Sequence, residues 1–256
     1  GTDYLINVVQ NIRRTIIELG GEVRFGAKFT GYETDFQGMM SAVNYIQNGI
    51  SHCIETDNCI LATGHSARDV FRMLKDKDVN LTQKNFAMGV RIEHPQRLIN
   101  SIQYHNSEQM EYLPAAAYSL VQQVGGRGVY SFCMCPGGFI VPAMTDKTQS
   151  VVNGMSPSHR GSPFANSGFV TEIRAEDFAH LTEKYGQLAG LEFQRQFEIM
   201  AREEANGRQT APAQRMADFV ARRNSSTLAV SSYTPGLVAS PLHFWMPEHI
   251  TSRLRE

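Results

Sequence analysis

The spacing of apolar residues changes abruptly at the pair Gly20-Gly21. In residues 3–21, apolar side chains recur every three or four positions, which predicts an amphipathic helix that ends at Gly20. Residues 22–33 instead place apolar side chains at alternate positions, which predicts a half-buried strand. Further on, Asn48-Gly49 separates two strand-like stretches and favours a two-residue hairpin turn. The chain is therefore expected to begin with a helix that leads into a strand and a small β-meander.

Composition narrows the classes of protein to consider. A chain of 256 residues with 42% hydrophobic and 19% charged residues is typical of a globular protein with one or two cores. A formal net charge of −1 gives no electrostatic footprint for nucleic acid or an anionic membrane. No apolar run approaches the roughly 20 residues of a membrane-spanning helix, and no signal peptide is recognisable. Four cysteines without regular disulfide spacing favour a reducing compartment, so we expect a cytoplasmic protein.

A β-rich middle and a helical end follow. Helices are predicted after Pro95, around 184–205 and from Pro212 to Arg222. Gly125-Gly126-Arg127-Gly128 favours a hairpin turn over a dinucleotide-binding loop, because it does not open a helix after a strand. The pattern predicts a mixed α/β chain, of α+β type in the stretch given. Strands are predicted at 86–93 and around 117–123, 129–135, 138–144, 149–153 and 168–174.

Two thiols lie one residue apart in 130-YSFCMCPGGFIVPA-143. On a regular strand Cys133 and Cys135 share a slim face, with Cα atoms about 6.6 Å apart, at the far end of the disulfide range. Beside Pro136-Gly137-Gly138, that face would let either protein core or a ligand approach closely. A zinc site is disfavoured because no second cysteine knuckle or suitable histidine pair is present. A catalytic dithiol and a structural strand stay open as alternatives.

The polar, glycine-rich residues 153–168 are predicted to form a long loop between two strands. Long ordered loops often carry function, so a binding loop and an ordinary surface loop are both open readings. Side chains suited to binding in this stretch are Asn153, Ser156, His159, Arg160 and Asn166.

A further candidate lies in 56-TDNCILATGHSARD-69. Ile60-Leu61-Ala62 predicts a buried strand that ends in a turn at Gly64. Small residues at such a strand end allow a cofactor to approach the main chain. The segment is similar to the second cofactor-contacting segment of flavoproteins related to glutathione reductase, in which Ala-Thr-Gly runs close to FAD.

Taken in order, the motifs of the whole chain resemble a bacterial family of FAD-dependent dehydrogenases, often described as NAD-utilising. The resemblance implies part of a Rossmann-like FAD/NAD(P)-binding domain, with an inserted, mainly β, substrate-facing domain and C-terminal helices. It rests on GTDYL, IRRTIIELGGEVRF, ILATGHSARDVF, NFAMGVRIEHPQ, VYSFCMCPGGF, VVNGMS, ANSGFV, GLEFQRQFE, APAQRMADF and SYTPG.

The resemblance also implies a domain plan. Residues 1–78 would be a partial FAD-binding domain, 79–225 the inserted domain, and 226–256 a segment returning toward the FAD domain. Full-length members would carry a G-x-G-x-x-G segment before Gly1 and a second glycine-rich segment after Glu256. The chain is therefore expected to be the central portion of the longer enzyme and to be inactive by itself.

The implied activity is hydride transfer between a small-molecule substrate or NAD(P)H and flavin, with FAD as the cofactor. The resemblance assigns the FAD contact to Phe29, Ala62, Thr63 and Gly64.

Among the other candidates, His65 and Arg68 would orient a substrate or an anion beside the flavin. Arg160 would bind a substrate carboxylate, and Cys133 or Cys135 would line the pocket. For each of these residues a purely structural role is the alternative. Two further functions stay open: a non-catalytic binding module on a flavoprotein scaffold, and a thiol or metal protein built on Cys133 and Cys135.

Overall fold

The computed structural model describes residues 1–106 and 110–256. The chain forms two compact units: an N-terminal unit, Ile6–Thr82, and a C-terminal unit, Gly1–Leu5 with Gln83–Glu256. Among the described strands all pairings are antiparallel except one two-stranded parallel pair. The predicted mixture of helices and strands is thus confirmed as an α+β arrangement. The predicted boundaries at 78 and 225 and the return of 226–256 toward an FAD domain stay predictions.

The N-terminal unit is built around the predicted meander. Its three strands pair antiparallel in the order β1-β2-β3. Asn48 and Gly49 connect β2 to β3 with φ values of 53° and 78°, the left-handed conformations that a two-residue hairpin turn of this type requires. The predicted helix, meander and turn are confirmed, but the strand predicted from residue 22 begins only at Ala27. The elements are α1 Leu5–Glu18, β1 Ala27–Thr34, β2 Met40–Gln47, β3 Ile50–Glu55 and α2 Arg68–Asp76.

Residues 57–64 form no strand, so the buried strand predicted at Ile60-Leu61-Ala62 is wrong. Ile60 is 94% exposed and Leu61 is 42% exposed. An isolated strand leaves its N–H and C=O groups without ladder partners. Within the described residues no other strand pairs with this segment, and the apolar run remains irregular and exposed.

A four-stranded antiparallel sheet forms the centre of the C-terminal unit. Its strands are β4 Phe86–Pro95, β5 Val121–Val124, β6 Arg127–Cys135 and β9 Phe164–Ile173, arranged in the order β4-β9-β6-β5. Gly125 and Gly126 join β5 to β6 with positive φ, which confirms the predicted hairpin turn. One face of the sheet packs against the helices in a core that includes Met88, Val129, Ile173, Phe178, Phe193, Ile250 and Leu254.

Two small sheets and six helices complete this unit as described. Strand β7, Phe139–Pro142, pairs with β8, Val152–Met155, and β10, Ala211–Ala213, lies parallel to β11, Leu237–Ala239. The helix predicted from Pro212 to Arg222 is shorter than expected, because residues 211–213 pair as β10. The loop predicted at 153–168 shrinks to 156–163 between β8 and β9. The helices are α3 Gln96–Tyr104, α4 Thr182–Tyr185, α5 Ala189–Glu204, α6 Met216–Val220, α7 Leu242–Trp245 and α8 Glu248–Arg255.

Gly89 lies where β4 closely approaches β9. A Cβ atom at Gly89 would clash with the carbonyl oxygen of Phe169 and lie 2.8 Å from the Cα of Val170. Because these are backbone atoms, they cannot rotate away. Gly89→Ala is therefore expected to lower the free energy of unfolding by about 1–3 kcal/mol, measured by urea denaturation.

Gly128→Ala is the matched control, because Gly128 lies in β6 of the same sheet. A Cβ atom there would meet nothing closer than the Tyr130 ring at 3.7 Å, which is an ordinary contact. Alanine also costs less conformational entropy than glycine on folding, so the control is expected to be neutral or slightly stabilising. Equal losses in the two variants would show that the strand approach at Gly89 is not the cause.

Candidate functional site

Strand β6 carries a bulge near its end. Phe132 pairs with Gly168 of β9, but the next paired residue, Cys135, faces Asn166, so β6 holds one extra residue. Cys133, inside the bulge, has a φ of 49°. Cys133 is exposed and Cys135 is buried. The prediction that the two thiols share a face is wrong, because the extra residue breaks the alternation of the strand.

The guanidinium of Arg91 connects four strands around this bulge. Its Nη1 donates to Oδ1 of Asn166 at 2.8 Å and to the carbonyl oxygen of Cys133 at 3.3 Å. Its Nη2 donates to Oδ1 of Asn153 at 3.2 Å. The strands joined in this way are β4, β6, β8 and β9. Together with Cys135, these residues are called the Arg91 cluster: Arg91, Cys133, Cys135, Asn153 and Asn166.

Glycines allow the surrounding segments to come together. A Cβ atom at Gly154 would clash with Oδ1 of Asn166 and lie 2.5 Å from Nη1 of Arg91, so β8 can approach only with glycine there. Gly137 has a φ of 53°, and its Cβ would clash with the backbone of Arg160. The sequence left open whether protein or ligand approaches Pro136-Gly137-Gly138. At Gly137 it is the protein backbone itself.

The cluster carries one positive charge. Arg91 is half-buried, and no carboxylate lies within ion-pair distance of it in the described part of the chain. The carboxylate of Glu93, two residues along β4, instead accepts the Ser232 N–H at 3.2 Å and the Ser232 hydroxyl. Burial raises the pKa of the Cys135 thiol, although the charge of Arg91 opposes the shift, so this thiol is protonated at neutral pH.

Asn166 shows that the protein alone does not satisfy the cluster. Its side chain is fully buried, and its Oδ1 accepts from Arg91. Its Nδ2 is also buried and has no hydrogen-bond acceptor among the described residues. Such buried polar atoms are uncommon in native proteins and call for an explanation.

A second polar pair lies on the other face of the sheet. Nε2 of His94 is 3.0 Å from the hydroxyl of Tyr118, and the two rings meet edge to face. Burial lowers the pKa of His94 and raises the pKa of Tyr118, so both groups are held neutral. The sequence did not predict this pair: His94 lies in the motif NFAMGVRIEHPQ, but Tyr118, its partner, lies 24 residues away in no motif.

The other predicted residues of the C-terminal unit lie apart from the cluster. Arg160 is exposed with a φ of 49°, and no described contact brings its guanidinium to the cluster. The hydroxyl of Ser156 donates to the carbonyl of Pro136, which fixes the loop after β8. His159 is exposed. Of the residues predicted in 153–168, the structure brings Asn153 and Asn166 together.

The residues predicted to contact FAD belong to the N-terminal unit. Phe29 is half-buried on β1, and residues 62–64 are exposed, with Gly64 at a φ of 80°. From residue 59 to residue 64 the described main chain makes no backbone hydrogen bond. Exposed small side chains and an unpaired main chain fit a cofactor that contacts the backbone. Nearby, His65 is exposed and Arg68 is half-buried at the start of α2.

Comparison with known proteins shows which family the chain matches. Residues 85–256 match the family described as "FAD-dependent protein, C-terminal domain-like", and these residues include the whole Arg91 cluster. The chain belongs to this family. An uncharacterised protein of Clostridium beijerinckii is 41% identical over 260 residues, covering all of this chain and 47% of that protein. The chain thus spans about half the length of the curated relative, and the resemblance to FAD-dependent proteins is confirmed at this level.

No three histidine, cysteine, aspartate or glutamate side chains in 1–106 and 110–256 are gathered as a metal ion would require. Across the same residues, no helix has the length and apolar character needed to cross a bilayer.

Proposed function

We propose that this chain is the central portion of an FAD-dependent oxidoreductase that transfers hydride between a small-molecule substrate or NAD(P)H and flavin. The family match over 85–256 carries the proposal. A Rossmann-like FAD domain, completed by segments outside this chain, belongs to the same proposal, as does inactivity of the chain by itself. The Arg91 cluster supports it, because four of the sequence motifs, NFAMGVRIEHPQ, VYSFCMCPGGF, VVNGMS and ANSGFV, converge on one guanidinium.

The proposed roles follow from the chemistry of each group. Phe29 and residues 62–64 would contact FAD largely through the main chain, and bound FAD would supply the hydride chemistry. Arg91 would bind and orient the substrate by charge-assisted hydrogen bonds. The buried thiol of Cys135 would remain neutral and limit access of water to the cluster. His65, Arg68, Cys133 and Arg160 stay candidates for contacts with substrate or cofactor.

An absorption spectrum of the full-length gene product tests the proposal. We expect the visible bands of bound flavin in the purified protein, and their bleaching when NAD(P)H or the correct substrate is added without oxygen. A colourless protein that takes up no added FAD would overturn the proposal.

A single substitution in the proposed FAD contact sharpens this test. Ala62 is exposed, so Ala62→Leu is expected to leave stability within about 0.5 kcal/mol of the wild type. The larger side chain would occupy space beside the main chain, so the flavin content of the purified protein is expected to fall. Ala221→Leu, at an alanine that is also exposed, is the matched control and should keep the flavin.

One observation favours a second candidate, a non-catalytic module that binds a ligand. The Arg91 cluster offers a cation and amides, but burial raises the pKa of its Cys135 thiol, which is therefore protonated at neutral pH and cannot act as a general base there. The two candidates differ in turnover. A binding module would retain flavin and ligand yet oxidise no NAD(P)H with any acceptor, whereas the oxidoreductase would show steady turnover.

A further inference from the structure

Some of the N–H donors of the Arg91 guanidinium are not used in hydrogen bonds with the described residues. A guanidinium carries five N–H groups, and the hydrogen bonds to Asn166, Cys133 and Asn153 use three of them. In the described ranges, the Nε–H and one Nη2–H of Arg91 have no acceptor. The residues around it are accessible, because Asn153 and Cys133 are exposed and Phe132 is 62% exposed. A ligand can therefore reach this group from solvent.

The nearest acidic residue of the same strand is already engaged. Glu93 and Arg91 lie on one face of β4, since they are two residues apart. Glu93 is held by the N–H and hydroxyl of Ser232, a residue far away in the sequence. This engagement keeps the carboxylate away from Arg91, so the cation of the cluster is left for an external anion.

We propose that the Arg91 cluster binds the carboxylate group of a small-molecule substrate. This inference rests on the proposed oxidoreductase function and specifies its substrate class. A planar guanidinium with two adjacent donors matches a planar carboxylate. Arg91 is positioned for this task by three acceptors from three other strands, which hold the guanidinium plane in place.

Charge selects a carboxylate over a phosphate. The cluster holds one cation, two neutral amides and a protonated thiol, so its charge matches a monoanion. A phosphate group carries close to two negative charges at neutral pH and is commonly bound by several cationic groups or by helix N-termini. A simple carboxylate therefore fits the cluster better than inorganic phosphate or a phosphate of a nucleotide.

Nuclear magnetic resonance of arginine side chains tests the inference directly. Benzoate and acetate are titrated into the 256-residue protein labelled with ¹⁵N-arginine, and the Nε–H signal of Arg91 is followed. The signal is assigned by its loss in Arg91→Lys. We expect a saturable shift with a dissociation constant on the order of millimolar, as is usual for ligands of this size. Inorganic phosphate at equal ionic strength should bind more weakly.

Asn153→Asp gives the sharpest variant. It is nearly isosteric and places an internal carboxylate beside Nη2 of Arg91, where Oδ1 of Asn153 now lies at 3.2 Å. That carboxylate would compete for the cation, so benzoate binding should weaken about 10-fold or more. Asn224→Asp is the control, since it adds the same charge at an exposed position outside the cluster and should leave binding unchanged.

Each result that contradicts the proposal identifies which part of it is wrong. Absence of a saturable shift in the wild type, or unchanged binding in Asn153→Asp, would overturn the carboxylate site. Tighter binding of phosphate than of benzoate would overturn the choice of carboxylate. Because this titration needs no flavin, a positive result with a full-length protein that binds no FAD would reject the oxidoreductase and leave the carboxylate site standing. A full-length protein that binds flavin but shows no carboxylate binding would reject the carboxylate site and leave the proposed oxidoreductase standing.

Discussion

Replacing Arg127 by methionine is expected to lower the free energy of unfolding towards the low end of about 3–5 kcal/mol, because a buried carboxylate loses its closest charge partner and keeps only the Arg253 guanidinium, 3.9 Å away. Arg127 is 7% exposed, and its Nη1 donates to Oδ2 of Asp177 at 2.6 Å. Its Nη2 donates to Glu176 at 2.7 Å. The side chain of Asp177 is 8% exposed, so water cannot replace the lost guanidinium. Urea denaturation at neutral pH measures the loss.

Arg222→Met is the matched control, because the ion pair of Arg222 with Glu248 has a similar length of 2.6 Å but is exposed to solvent. An exposed pair contributes about 0–1 kcal/mol, so the control should lose little. If the two variants lose similar amounts of unfolding free energy, burial of Asp177 is not the reason that the Arg127–Asp177 pair stabilises the fold.

Acid titration gives a further check on the Arg127 pair. Burial alone would raise the pKa of Asp177, but hydrogen bonds from the Arg174 N–H and the Arg127 guanidinium outweigh it, and the pKa lies below its ordinary value of 3.8. Stabilisation from this group is therefore complete above pH 3.8 and is lost as the pH falls through the folded-state pKa. In Arg127→Met this acid-dependent part of the stability should shrink.

Local rules in the sequence predicted the parts of the fold that local chemistry determines. Asn48-Gly49 and Gly125-Gly126 give hairpin turns because their backbones accept positive φ at low cost. Alternation in 86–93 predicts β4, because one face of that strand meets the core. The strand predicted at Ile60-Leu61-Ala62 was wrong because a strand also needs a neighbouring strand to pair with. The local sequence of this segment does not show whether such a neighbour is present.

The candidate site depends on contacts that no local pattern shows. Arg91 lies 42 residues from Cys133, 62 from Asn153 and 75 from Asn166 in the sequence. The sequence evidence for this site was one arginine in a strand with alternating apolar residues. An arginine in such a strand is equally expected at a position that faces solvent. The bulge at Cys133 was equally hidden, because alternation assumes a regular strand. Only the folded sheet brings these residues to one place.

Phe178→Ala is expected to lower the free energy of unfolding by about 3–5 kcal/mol, the range for removing a buried aromatic ring. Phe178 is 1% exposed in the core beside the four-stranded sheet. Its ring lies 5.7 Å from that of Phe86 and 6.1 Å from that of Phe193, measured between centroids. Urea denaturation measures the loss, and Phe244→Ala, at an 83% exposed ring, should lose less than about 0.5 kcal/mol.

A second substitution separates loss of packing from disruption of the 3₁₀ helix Ala175–Leu181, which carries Phe178. Gly190 of α5 faces this ring, and a Cβ atom there would lie 3.2 Å from Cζ of Phe178. Gly190→Ala gains helix propensity of about 1 kcal/mol but crowds the wild-type ring. Once Phe178 is alanine, the two contacts with its ring disappear, only Cε1 of Phe86 remains close at 3.3 Å, and the new methyl group fills part of the cavity. The double variant should therefore be more stable than the sum of the single changes predicts, whereas strict additivity would mean that the ring acts through its own segment rather than through contact with α5.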